Sequence, residues 1–294
     1  MLKQRIITAL LLLPAVFILL FAVELNFFTA LIGIIVYLMA LEWAKLSSFN
    51  NPFYEMFFAL SISFINAGLW YFSDPLVVWP SISWPEYFQF ELPLIILLNS
   101  LVFILLAISI VITYSKNNQW WQSTLIKALF GLALLPSFFV AFVSIRNIGY
   151  TSGDYTYGGS LLLFMFLMIW AADTGAYFTG KFLGKHQLAK VSPNKTWEGV
   201  LGGVFFSLMI GWFGVFALDL KINNFSLYCF VLLCLAIISV FGDLFESALK
   251  RSANIKDSGN LLPGHGGLLD RLDSTVTVAP FYFLTFSYFE WFNA

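Results

Sequence analysis

Residues 92–114 read LPLIILLNSLVFILLAISIVITY, 23 consecutive positions without one charged side chain. A helix of that length rises about 34 Å, enough to cross a hydrocarbon core about 30 Å thick. Inside lipid a helix also satisfies its own backbone hydrogen bonds, so the stretch reads as a membrane span. The rest of the chain has the same character. Of its 294 residues 60% are hydrophobic and 11% charged, with a mean hydropathy of +0.85, whereas soluble chains carry about 25% charged residues. The formal net charge of −1 gives no sign of a nucleic-acid partner, and none is expected. Cys229 and Cys234 share one apolar run and read as small buried side chains, not as a disulfide or zinc framework.

Working outward from 92–114, eight further stretches are long and apolar enough to span: 6–23, 26–46, 54–72, 124–145, 160–179, 199–219, 225–249 and 275–292. The first follows Lys3 and Arg5 like a signal peptide, but it continues past Pro14 for a full span without a small-x-small cleavage site, so it reads as a transmembrane helix. Nine spans put the termini on opposite sides. A cytoplasmic N-terminus then places Lys3, Arg5, Lys45, Lys116, Lys127, Lys181, Lys185, Lys190, Lys195, Lys250, Arg251, Lys256 and Arg271 inside, leaving only Arg146 and Lys221 outside. That 13-to-2 split of the 15 basic residues obeys the positive-inside rule. Trp79 and Trp84 in the outer loop 73–91, and Trp120 and Trp121 on the cytoplasmic side, read as interfacial belt residues. The expected fold is therefore all-α: a polytopic integral membrane protein of about nine transmembrane helices, N-terminus cytoplasmic and C-terminus outside. Residues 1–160 form about five N-terminal spans, and residues 161–294 carry the catalytic region.

Ionisable groups inside spans are costly and usually have a pairing or functional reason. Asp173 lies in WAADTGAYFTGK, and Asp243 and Glu246 lie in VFGDLFESALKR. At helical spacing Asp243, Glu246, Ser247 and Lys250 share one face, a stripe that leads into the loop 250–274. There Lys250, Arg251, Lys256 and Arg271 stand among Asp257, Asp270, Asp273, His265 and four glycines. Glycine lets backbone approach a ligand closely. Carboxylates such as Asp270 and Asp273 suit Mg²⁺, and the basic side chains suit the phosphates that complete its shell. His265 fits a positional or phosphate contact, a general base or a metal ligand. The second polar loop, 180–198, contains a Ser-Pro turn in which Ser192 could cap a helix N-terminus that receives an anion. His186 reads as a solvated loop residue.

The segment Ser247 to Asp273 resembles the C-terminal pattern of the phosphatidate cytidylyltransferase (CDP-diacylglycerol synthase) family. The resemblance rests on Ser247, Lys250, Arg251, Lys256, Asp257, Gly259, Pro263, His265, Gly266, Gly267, Asp270, Arg271 and Asp273. Ser192-Pro193-Asn194-Lys195-Thr196-Trp197-Glu198-Gly199 looks like the same family's second motif, and Asp243 stands where its transmembrane acid is expected. The resemblance implies an enzyme that joins CTP to phosphatidic acid, with release of pyrophosphate, at the cytoplasmic face of a bacterial inner membrane. It implies Mg²⁺, leaves open a second, monovalent cation such as K⁺, and suggests a homodimer; Gly199, Gly202 and Gly203 would permit close helix contacts. Asp243 and Asp270 are the expected leading metal ligands, with Asp273 and Glu246 beside them. Lys250, Arg251, Lys256 and Arg271 are the expected phosphate clamps; Ser192, Lys195, Thr196, Gly266 and Gly267 are expected to help bind nucleotide, and Asp173 to line the polar pocket. Two alternatives stand: a CTP-dependent cytidylyltransferase or kinase acting on an isoprenoid lipid, and an ion-coupled transporter. The transporter calls for acids spread through the membrane depth, whereas these cluster at one face.

Overall fold

In the computed structural model, which describes residues 2–49, 51–72, 92–114, 119–150 and 153–292, nine α-helices stand at the nine expected spans. They are α1 (Leu2–Phe21), α2 (Leu25–Leu46), α3 (Pro52–Phe72), α4 (Leu92–Thr113), α5 (Thr124–Asn147), α6 (Tyr157–Leu183), α7 (Trp197–Ala217), α8 (Phe225–Ser252) and α9 (Leu269–Tyr288). Polar side chains set several starts. Ser123 caps α5 through Ile126 N (3.3 Å), Thr196 caps α7 through Gly199 N (3.1 Å), and Asn224 caps α8 through Leu227 N (3.0 Å). Each supplies an acceptor for an otherwise unsatisfied first-turn N–H. The belt residues Trp79 and Trp84 lie outside the described residues. Trp120 is exposed as a belt residue should be, but Trp121 is buried against Tyr114, with ring centroids 6.2 Å apart.

Seven of the helices are long and apolar enough to cross a membrane by length and composition. The first and last differ for separate reasons. In α1 the apolar part is the shorter Leu10–Phe21. In α9 the start carries Asp270, Arg271 and Asp273, and buried Ser274, Thr275 and Thr277 follow. Two of these hydroxyls find acceptors among neighbouring carbonyls, Ser274 Oγ donating to Ser239 O (3.0 Å) and Thr277 Oγ1 to Ser274 O (2.9 Å). A helix walled in by protein need not be apolar, because its polar groups are met by neighbours and not by lipid.

Helix α5 is the central post, with 89% of its apolar window buried, against 22% for α7 and 28% for α3 at the rim. It packs on α2, α4, α6 and α9, while α8 packs on α4 and α9. The rim helices turn large apolar side chains such as Phe64, Tyr71, Phe205 and Phe216 outward, as a lipid solvent requires.

The closest pairing is α6 with α7. A Cβ at Gly203 would stand 2.6 Å from Ala172 O, and one at Gly199 would stand 2.9 Å from Ala176 O. Only glycine lets these backbones approach so closely. The stripe Gly199, Gly202 and Gly203 is thus filled inside one chain. Between α6 and α7 runs an antiparallel hairpin, β1 (Gln187–Ala189) and β2 (Ser192–Thr196), with Ala189 paired to Ser192. The chain turns at Lys190-Val191, so Ser192 and Pro193 belong to a strand and not to the expected Ser-Pro turn.

At the hairpin end of the bundle, Lys127 on α5 is buried. Its Nζ donates to Leu46 O (3.0 Å) and Ser48 Oγ (2.8 Å) just beyond α2, and reaches Ser252 Oγ (3.5 Å) at the end of α8. A cation at two helix C-termini complements both dipoles.

Candidate active site

The four-residue stripe on α8 is formed as its spacing implies, and α9 lies against it because Gly242 leaves room for Thr277 and the Asp273 carbonyl. Lys250 Nζ bridges two acids, Glu246 Oε2 at 2.6 Å on its own helix and Asp270 Oδ1 at 2.7 Å on α9. All three side chains are largely withdrawn from solvent, at 16% exposure for Lys250, 3% for Glu246 and 5% for Asp270. The other oxygen of Asp270 accepts from Gly267 N (2.8 Å) and Ser258 N (2.9 Å). Both oxygens of Asp270 are thus engaged by the protein. It acts here as a clasp that ties the loop to α8, and the Gly267 N–H is spent on it. A Cβ at Gly266 would stand 2.7 Å from Asp270 Oδ2, so this glycine makes room for a protein carboxylate.

One turn deeper, Asp243 Oδ2 pairs with Lys195 Nζ at 2.5 Å, and Ser247 Oγ stands 3.5 Å from Asp243 Oδ1. Asp173 on α6 and Asp273 on α9 both interact electrostatically with Asp243 and Lys195, and Asp173 also with Arg271. Glu246 in turn senses Asp273. Five carboxylates, from Asp173, Asp243, Glu246, Asp270 and Asp273, therefore face Lys195, Lys250 and Arg271. Among the described residues no three His, Cys, Asp or Glu stand close enough to enclose a cation by themselves. Asp243 and Asp270, the expected leading metal pair, are each taken by a different lysine.

Above this cluster the loop 253–268 turns tightly at Leu262–Gly266. Leu262 N donates to Gly266 O and His265 N to Leu262 O, both at 2.9 Å. Gly264 (φ 76°) and Gly266 (φ 85°) adopt the left-handed conformation, which costs glycine little. Arg271 Nε donates to His265 O at 3.1 Å. Lys256, Asp257, Asn260, His265 and Arg271 line a cleft of about 610 Å³, and His265 Nδ1 is buried with no hydrogen-bond partner among the described residues. Arg251 is exposed nearby in sequence, at the end of α8.

On the hairpin, Thr196 is the cap of α7 and Ser192 is not. His186 is solvated as expected, with 75% of its side chain exposed, and its Nδ1 stands 2.6 Å from Glu198 Oε1. Glu198 Oε2 accepts from Lys185 N and His186 N as well, at 3.1 and 3.2 Å.

The residue missed by sequence reasoning is Glu42 on α2, which is buried. Its Oε1 accepts from Leu268 N (3.0 Å); its Oε2 accepts from Leu269 N (2.7 Å) and Ser258 Oγ (3.1 Å). The available signal was a carboxylate inside the apolar run LMALEWAKL.

The sequence pattern of the cytidylyltransferase family matches residues 3–289 of the chain. A phosphatidate cytidylyltransferase of Haemophilus influenzae is 35% identical over 297 residues, covering 99% of each chain. One of Pseudomonas aeruginosa is 36% identical over 283 residues, covering 96% of each, and one of Bacillus subtilis is 46% identical over 148 residues, 49% of this chain and 51% of that protein.

Proposed function

The chain belongs to the cytidylyltransferase family, and we propose that it transfers the cytidylyl group of CTP to phosphatidic acid, giving CDP-diacylglycerol and pyrophosphate. The observation that carries this reading is the meeting, at one end of the bundle, of lysine-bridged carboxylates with a cleft of about 610 Å³ lined by Lys256, His265 and Arg271.

The nucleophile is an oxygen of the lipid phosphate. A phosphate monoester has a second pKa near 6, so it is already largely dianionic at neutral pH and needs no protein base. It forms a bond to the α-phosphorus of CTP; the bond from that phosphorus to the α,β-bridging oxygen breaks, and pyrophosphate leaves with the electron pair. The obstacle is repulsion between two polyanions, so the work of the protein is charge neutralisation and alignment. Lys256 and Arg271 line the cleft that takes the triphosphate. Lys195 and Lys250 lie deeper and neutralise charge beside the lipid phosphate.

The donor set also fits Mg²⁺. Five carboxyl groups crowd around three basic groups, and Mg²⁺ commonly takes one or two protein carboxylates, with water and phosphate oxygens completing the shell. Asp243 and Asp273 would hold it, with Asp173 and Glu246 alongside. The ion would supply positive charge against the departing pyrophosphate. Asp270 keeps its place on Lys250, Ser258 and Gly267 and aligns α9.

The positive-inside distribution supports a cytoplasmic active site, reached by CTP from water and by phosphatidic acid laterally from the leaflet. The bacterial relatives support the inner membrane as its location. A homodimer would form on faces other than the α6–α7 seam, which is filled within one chain. The test is pyrophosphate release by purified protein with CTP, phosphatidic acid and Mg²⁺, together with the fate of label. Label from the α-phosphate of CTP enters the lipid in cytidylyl transfer; entry of the γ-label alone would show a kinase and refute the proposal.

A further inference from the structure

Helix α9 opens the segment that carries Asp270, Arg271 and Asp273, yet its N-cap residue is Leu268, which has no side chain able to accept from the first-turn amides. The acceptors come from α2. Glu42 takes the Leu268 and Leu269 N–H groups, one on each oxygen, and Oε2 takes Ser258 Oγ–H as well. The negative charge also lies at the positive end of the α9 dipole. Two loop glycines are shaped around it, since a Cβ at Gly267 would fall 2.6 Å from Glu42 Oε2, and one at Gly259 would overlap Oε1. Asp270 closes the same loop from the other side through Ser258 N and Gly267 N. Glu42 and Asp270 therefore grip Ser258 and the residues just before α9 between them.

We propose that Glu42 is a positioning residue for the reaction: from α2 it caps α9 and fixes the 258–269 segment, so that the triphosphate cleft and the α9 carboxylates keep their mutual alignment. This deepens the cytidylyltransferase reading and rests on it for its kinetic part. Glu42 is buried beneath the loop, with its carboxylate on Ser258, Leu268 and Leu269, and it acts through them.

The decisive variant is Glu42→Gln. It keeps the shape but replaces one oxygen with an NH₂ group, and every group that faces the carboxylate is a donor. Whichever way the amide turns, at least one of Leu268 N–H and Leu269 N–H loses its acceptor and faces another donor. Ser258→Ala removes a single bond and is the milder companion. Pyrophosphate release is measured with CTP and phosphatidic acid varied separately, and hydrogen exchange is followed in peptides covering 258–270. The expected result for Glu42→Gln is a KM for CTP raised tenfold or more, a KM for phosphatidic acid within twofold of the parent, and faster exchange confined to 258–270. For Ser258→Ala the KM for CTP rises two- to fivefold. A purely structural role would lower the active fraction and leave both KM values in place, and that outcome overturns the proposal. If Glu42→Gln does not fold, Ser258→Ala decides: an unchanged KM for CTP with unchanged exchange overturns it. If the parent releases no pyrophosphate, the cytidylyltransferase reading fails, and the exchange data alone judge whether Glu42 holds the loop.

Discussion

Replacing Lys250 with methionine tests the construction of the site most directly. The ammonium lies 2.6 Å from Glu246 and 2.7 Å from Asp270, and both acids are nearly excluded from solvent. Methionine fills much the same volume but leaves the two carboxylates without their common cation. Asp270 would keep two backbone N–H donors, whereas Glu246 would keep none among the described residues, its Oε1 already lacking a partner. Breaking a buried pair by removing one member costs about 3 to 5 kcal/mol; because Asp270 stays partly satisfied, the lower end, about 3 kcal/mol, is expected. The assay is equilibrium unfolding by SDS titration in mixed micelles. The double variant Glu246→Met/Lys250→Met removes the stranded charge and should regain at least half of the loss. Pyrophosphate release should remain depressed in both, because the double variant restores packing and not the cation that holds Asp270. A Lys250→Met protein within about 1 kcal/mol of the parent, a value expected of exposed pairs, would refute the description of this triad as a desolvated bridge.

Asp243→Asn should lower pyrophosphate release roughly 100-fold while the protein still inserts and elutes normally on size exclusion. Lys127→Met strips three polar contacts from the ends of α2 and α8 and should cost about 2 kcal/mol in SDS unfolding, with both KM values unchanged. Gly203→Ala forces a methyl against Ala172 O and should cost about 1 to 3 kcal/mol, measured in the same titration. Chelation with EDTA should abolish pyrophosphate release and added Mg²⁺ restore it; turnover that persists after exhaustive chelation would remove Mg²⁺ from the mechanism.

What could be read from the chain followed the range of the interaction. The spans were legible because lipid imposes length and apolarity on each helix separately. The α8 stripe was legible because Asp243, Glu246, Ser247 and Lys250 are neighbours by helical geometry alone. The contacts of Asp270 with Lys250, Ser258 N and Gly267 N were not, since they join residues 3 to 20 positions apart through a loop whose course no local pattern dictates. Ser192 was read as a cap because Ser-Pro suggests a turn, yet pairing with Ala189 draws it into a strand and passes capping to Thr196. Glu42 stands out in the sequence only as a carboxylate in an apolar run, and its role was hidden because its partners lie 216 to 227 residues further along the chain. No local pattern announces a cap delivered from another helix.

The order in which the parts occur along the polypeptide fixes when activity can begin. Glu42 comes from the second helix, Asp173 from the sixth, Lys195 from the hairpin, Asp243 from the eighth, and Asp270 and Asp273 from the ninth. A nascent chain that has inserted eight helices carries Lys250 and Glu42 with their α9 partners missing, and it has no closed loop to receive a triphosphate. On the proposed mechanism catalysis would start only when α9 arrives, and a chain still lacking that helix would spend no nucleotide in the membrane.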